Sequence, residues 1–165
     1  MYTLLELKNK VVAHHWPSKL AAPAFTASVS TLDKLPPDTL TEAMFAAEIL
    51  ISKPTRMGGA PHLYVSNRED SSEDGDTIAI FSLIDEVNGN TLRKIPELVK
   101  QVRTGLKHVR GMSFGGPDDQ WLIAGGVIEG GVKVFKRITN AEGGEDLEFI
   151  TENQDIRKPT VFVWL

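Results

Sequence analysis

One pattern of residues recurs three times along this chain, and it restricts the possible folds more than any other feature. Tyr64-Val65-Ser66-Asn67 followed by Thr77-Ile78-Ala79-Ile80-Phe81 has the form of two adjacent strands. The pair returns as Leu122-Ile123-Ala124-Gly125 with Gly131-Val132-Lys133-Val134-Phe135, and it opens the chain as Tyr2-Thr3-Leu4-Leu5 with Lys10-Val11-Val12-Ala13-His14. Tyr2 and Tyr64 are 62 residues apart, and Tyr64 and Leu122 are 58 apart. A further strand precedes the pair twice, at 48–52 and 110–114, again 62 apart, and another follows it at 98–102 and 147–151. Four short strands per unit at such a period are the mark of a propeller blade, a small sheet that cannot bury both faces alone and so stacks on its neighbours. The expectation is an all-β partial propeller of about two and a half four-stranded antiparallel blades. The alternative is an unrelated β-sandwich with a chance internal similarity.

The local pattern agrees with strands. Short alternating apolar runs at 2–7, 10–16, 48–52, 62–67, 77–83, 98–102, 109–114, 120–124, 131–138, 147–151 and 160–165 are separated by Asp74-Gly75, Asn88-Gly89, Gly115-Gly116-Pro117 and Gly143-Gly144. Residues 39–47 have near-helical apolar spacing but follow Pro36-Pro37, and are expected to be a turn or loop before a strand. Residues 95–103 could pass for a helix, and the repeat argues for a strand. The units are then an incomplete blade at 1–30, a complete blade at 45–103, a last blade at 108–151 and a closing strand at 158–165.

Composition excludes several functions. A net charge of −4 with no basic run disfavours non-specific nucleic-acid binding. With no cysteine, neither a disulfide framework nor a thiolate metal site can form. The first sixteen residues carry Glu6, Lys8 and Lys10 and lack the apolar core of a signal peptide, so a cytoplasmic location is the default expectation.

Several strings in the right order resemble the seven-bladed lactonase propellers, the family of bacterial 6-phosphogluconolactonase and the fungal carboxymuconate-lactonizing enzyme. They are Leu63-Tyr64-Val65-Ser66-Asn67-Arg68, Asp76-Thr77-Ile78-Ala79-Ile80-Phe81 and the run from Thr104-Gly105 to Arg110. Gln120-Trp121-Leu122-Ile123-Ala124-Gly125-Gly126 is similar to the last blade of fungal members, and Pro159-Thr160-Val161-Phe162-Val163-Trp164-Leu165 to their C-terminus. The resemblance covers nearly all of this chain but under half of a typical family member. It implies a seven-bladed ring, of which residues 1–6 here would be a second strand, and a final strand that would latch the circle. An unpaired β-branched strand is an aggregation hazard, so self-association through open propeller edges is expected.

In an up-and-down blade the first strand starts, and the second strand ends, at the same face of the ring. By the repeat, Glu6 and Arg68 are equivalent second-strand ends, while His108 and Arg110 stand at a first-strand start whose counterpart one blade earlier is Glu48. These residues should share the mouth of the central channel. Arg can hold a carboxylate or phosphate in bidentate fashion, and Glu can move a proton. The resemblance implies the same site: the Glu of the family's Glu-Leu motif and the Arg of its Ser-Asn-Arg motif match Glu6 and Arg68. These two are the catalytic candidates, with His108 and Arg110 as substrate-binding candidates. A further family Arg would fall before Met1, and Gly125-Gly126 replaces polar residues in the last blade, so the site should be incomplete.

Other signals carry less. His14 and His15 should point to opposite faces of a strand and so cannot chelate one metal together. Asp70-x-Ser72-x-Asp74-Gly75 echoes a calcium loop but lacks the twelfth-position Glu, and a solvated acidic turn is expected. No Gly-rich phosphate loop is present. Tyr64, Phe81, Phe114 and Phe135 should be core between blades. No metal or cofactor is expected. The implied function is a lactonase-type hydrolase acting on an anionic sugar-derived or dicarboxylate lactone. The alternatives are a carboxymuconate cyclase-type isomerase, a non-catalytic propeller fragment that serves as a protein-interaction module, or an inactive truncated product.

Overall fold

A computed structural model describes residues 1–164 other than 17, 19–20, 38, 55–58, 89–90 and 140–143. Eleven strands run in chain order: β1 Tyr2–Leu5, β2 Lys10–His15, β3 Ala24–Ser30, β4 Phe45–Ile51, β5 His62–Arg68, β6 Thr77–Asn88, β7 Thr91–Arg103, β8 Lys107–Gly115, β9 Trp121–Glu129, β10 Val132–Thr139 and β11 Glu145–Asn153. They form three antiparallel sheets, β1-β2-β3, β4-β5-β6-β7 and β8-β9-β10-β11, each in simple up-and-down order. The chain is therefore a partial β-propeller.

Stacking follows from strand chemistry. β5 is buried along almost its whole length, which an alternating strand achieves only when both faces are covered. Its Leu63 and Val65, with Ala79, Phe81 and Leu83 of β6, pack toward the first sheet around Val11. Tyr64 of β5 and Ile78 and Ile80 of β6 pack the other way, against Val109, Met112, Leu122 and Phe135 of the third sheet. Burying a large apolar side chain completely is worth roughly 1.5–3 kcal/mol, so these two seams, rather than any single sheet, hold the units together. Along the inner side β8 lies against β4 and β5, and on the outer side β7 lies against β3 and β11. The aromatic residues expected between the blades are there, with Phe114 edge-on to Tyr64 at 5.0 Å.

The structure departs from the sequence expectations in several places. β3 was not expected as a strand: its Ala-Phe-Thr-Ala-Ser-Val-Ser is mostly small or polar with no residue fully buried, so it carries little apolar alternation. β6 and β7 extend well beyond 83 and 98, as a charged ribbon in which Lys94 Nζ meets Asp85 at 2.5 Å. The acidic turn is solvated at Glu73 and Asp74 but not at Asp70. Asp70 is buried and ion-paired to Arg103 at 2.5 Å, and it also accepts the Ser72 amide, so protein donors replace water around it.

The segment expected as a closing strand, 158–165, joins no sheet among its described residues. It lies across the open face of β8 and β9. A β-carbon at Gly115 would fall 2.0 Å from the Trp164 indole, and one at Gly125 would fall 2.6 Å from Pro159 and 2.7 Å from Phe162. Gly125, one of the two glycines where the resemblance led us to expect polar side chains, thus makes room for this segment, whereas a β-carbon at Gly126 would meet the Glu129 and Lys107 backbone. It occupies on β8 and β9 the kind of place that β8 occupies on β4 and β5.

Candidate functional site

Antiparallel pairing sets the start of β4 against the end of β5, since Phe45 pairs Arg68, and the end of β5 against the start of β6, since Asn67 pairs Thr77. The end of β7 joins them, because Thr77 also pairs Arg103. The end of β1, the Glu6–Lys8 helical turn, lies against β4 at this same end. One mouth of the stack therefore collects Glu6, Arg68, Arg103 and the start of β8.

Glu6 and Arg68 meet directly, the guanidinium Nη2 donating to the Glu6 carboxylate. Arg68 is pinned from below by the Phe45 ring, 5.3 Å from the guanidinium carbon to the ring centroid, a cation–π contact that also orients the planar fork. The preceding Asn67 is fully buried and cross-links the first two sheets: its Oδ1 accepts the Thr31 hydroxyl at 2.6 Å, and its Nδ2 donates to Thr31 O and Thr77 Oγ1, both at 3.3 Å. The Ser-Asn-Arg string is thus a structural asparagine followed by the arginine it aims.

His108 reaches this group through a residue the sequence reading missed. Its Nδ1 hydrogen-bonds Glu69 Oε1, and the same oxygen lies 3.9 Å from Arg68 Nη1. Glu6, Arg68, Glu69 and His108 form one continuous chain of charged and polar groups. Arg110 does not join it. It is exposed on β8 and stands near enough to Glu48 to oppose the dominant effect there, burial, which raises the Glu48 carboxyl above its usual range. The ladder is broken at both places: β4 is irregular between Ala46 and Ile49, and β8 between Lys107 and Val109 and again between Val109 and Gly111. Such bulges turn side chains out of the regular alternation and cluster near functional sites. The Glu48 amide, freed from the ladder, donates to Ser66 Oγ at 3.0 Å.

Asp76 ties the second sheet to the third at this mouth. It is fully buried and accepts the backbone amides of Asp70 and Val109, each at 2.9 Å. Burial raises its carboxyl above the usual value, and these amide bonds, with Lys107, pull the other way. By holding residue 70 and residue 109, Asp76 sets Glu69 beside His108. Glu69 had no sequence signal beyond its place after the Ser-Asn-Arg string, and Asp76 stood out only as the first residue of a string that carries the resemblance.

At the opposite mouth a second polar cluster locks the same two sheets. The Tyr64 hydroxyl donates to Glu145 Oε1 at 2.6 Å, and Arg137 Nε donates to that oxygen at 2.6 Å and to the Tyr64 oxygen at 3.1 Å. Arg137 also donates to the Asp118 and Asp119 carbonyls, and His62 Nδ1 lies 3.5 Å from Glu145 Oε2. Burial and the Glu145 charge push the Tyr64 phenol far up, so it remains a donor.

His14 and His15 both border one cleft of about 210 Å³, with Tyr2, Trp16, Arg93 and Lys94. On β2 they pair in consecutive register with Phe25 and Ala24, and the extra residue at the nearby irregularity is Thr26 on β3. Among the described residues no three His, Cys, Asp or Glu side chains gather as a metal site, and no helix is long and apolar enough to cross a membrane.

Comparison with solved structures found a protein from Lactobacillus plantarum whose fold superposes with a TM-score of 0.68 at 17% sequence identity. The match covers 97% of this chain and 40% of that one, so the chain spans well under half of that neighbour's length. A comparison with curated protein sequences gave no match. The family described as "Lactonase, 7-bladed beta-propeller" matches residues 1–164. With three stacked up-and-down sheets and a match along almost its entire length, the chain belongs to the seven-bladed β-propeller lactonase family.

Proposed function

We propose that this chain carries part of a lactone-hydrolysing site, for a sugar-derived or dicarboxylate lactone with an anionic group. The observation that carries this reading is the Glu6–Arg68 pair, a proton-transfer group and an anion-binding group joined across two sheets at one mouth. Arg68 can bind a carboxylate or phosphate through its planar fork. An anionic ligand that takes this fork displaces Glu6, and the released carboxylate can accept a proton from the water that attacks the lactone carbonyl. The ester C–O bond then breaks, and the ring oxygen leaves with a proton as the alcohol. Arg110, exposed beside the site, supplies a second positive charge for the same ligand. Side chains and water suffice for this reaction as written.

The test is acid release from 6-phosphogluconolactone and from a carboxylated muconolactone, followed at constant pH. Turnover above the spontaneous rate that disappears in Glu6→Gln supports the reading. Turnover equal to the spontaneous rate for both lactones overturns it for this chain.

A second reading, self-association, is favoured by a different observation. Among the described residues the first sheet has three strands where the others have four, and no strand pairs with β1 on the side where β4 pairs β5 and β8 pairs β9. Apolar side chains are exposed at both edges of this sheet, Leu7 at 75% just after β1 and Phe25 at 66% on β3. Unpaired edges of this kind template pairing with another strand.

A further inference from the structure

Glu69 and His108 adopt a backbone that suits neither of them. Their φ angles are +66° and +61°, in the left-handed region where a β-carbon crowds the following carbonyl. Each is strained in a way that a glycine at the same place would not be. The two strained residues are partners, Glu69 Oε1 against His108 Nδ1. Asp76 fastens the residue after each of them, Asp70 on one side and Val109 on the other. A buried carboxylate that grips both backbones just past the strained positions over-determines their conformation. Strain that is held in place in this way at a cluster of charged groups points to a role other than stability.

We propose that Glu69 is a positioning residue: it fixes the His108 imidazole with Nδ1 protonated, and it does so at the expense of stability. An ionised carboxylate only accepts hydrogen bonds, so the neutral ring must carry its proton on the nitrogen that faces Glu69. Nε2 is then the lone-pair nitrogen, able to take a proton from a ligand or water and return it. A carboxylate that orients an imidazole in this manner sets its tautomer. The same Glu69 oxygen also faces Arg68, so imidazole and guanidinium are held in one fixed relation. On the lactonase reading, on which this use of the imidazole rests, His108 is a second proton-transfer group beside Glu6.

The experiment uses the full chain and the variant Glu69→Gly, which relieves the backbone strain and deletes the carboxylate together. Nitrogen-15 NMR of the ring, at a pH well above the ordinary imidazole range, reads the tautomer. The wild type should show His108 protonated on Nδ1, and the variant should move to the Nε2-protonated form common for unconstrained imidazoles. Its melting temperature should rise. An unchanged tautomer would overturn the proposal, and so would a fall in melting temperature, which would mark Glu69 as a structural residue. Lactone turnover, measured alongside, separates the two readings. A tautomer that responds as expected in a chain with no turnover sinks the lactonase reading and leaves the positioning role standing. An unresponsive tautomer in an active chain does the reverse. Where turnover is present, Glu69→Gly should lower kcat by about ten- to a hundredfold, the scale for losing a carboxylate that orients an imidazole.

Discussion

The Glu6 carboxylate meets the Arg68 guanidinium across the seam between the first and second sheets, 62 positions apart in the chain. Glu6 is half exposed there, whereas Arg68 is largely covered by Phe45 and its neighbours. An exposed pair of this kind contributes about 0–1 kcal/mol to stability. Glu6→Gln should therefore leave the melting temperature nearly unchanged while removing any lactone turnover. A variant as active as the wild type would take Glu6 out of the mechanism.

Arg68→Lys keeps the charge but loses the fork and most of the stacking on Phe45. Its KM for an anionic lactone should rise by about tenfold or more, in line with the loss of a bidentate contact. Steady-state kinetics with a neutral lactone as control would test this. Equal losses for both substrates would mean that Arg68 does not recognise the anionic group.

Glu145 is almost wholly buried; Arg137 and Tyr64 donate to its Oε1, and the Thr139 hydroxyl to its Oε2 at 3.4 Å. Tyr64→Phe removes one donor and should cost about 1–2 kcal/mol in urea unfolding. Arg137→Met should cost more, about 3–5 kcal/mol, because it strands a buried carboxylate. A milder effect for Arg137→Met than for Tyr64→Phe would show that the cluster is not held by its charges.

His62 makes stability depend on pH. Burial lowers its folded value below the ordinary 6.5, Arg137 adds to that and Glu145 opposes it. As the pH falls through the unfolded-chain value, the unfolded chain takes up the proton first. The stability due to His62 is thus complete above that value and is lost as the pH falls through the lower folded one. The melting temperature should drop on acidification through this window, and His62→Gln should flatten the drop. A variant profile parallel to the wild type would assign the acid sensitivity to other groups.

Trp164 and Phe162 cover glycines on the open face of β8 and β9. Deleting residues from 159 onward should uncover that face and make the protein associate in a concentration-dependent way, seen by sedimentation velocity. A truncated chain no more associated than the full one would show that the segment protects nothing.

The amino-acid sequence by itself determined the repeated strand pairs. Consecutive apolar residues such as Leu63, Tyr64 and Val65 suit a strand covered on both faces, and recurrence at a fixed spacing implied stacked four-stranded sheets. It also placed Glu6 and Arg68 at equivalent strand ends, because a repeat carries position from one unit to the next. What it could not show depends on contacts between units or on local backbone shape. β3 lacks apolar contrast. The bulges that turn out His108 and Arg110 are irregularities of pairing, which exist only once two strands meet. Glu69 looked like an ordinary surface acid until the turn after β5 took a left-handed conformation under the grip of Asp76. The path of the C-terminal segment was decided by tertiary structure as well: alternation made residues 160–165 look like a strand, but only the assembled third sheet offers the glycine-lined face on which they lie.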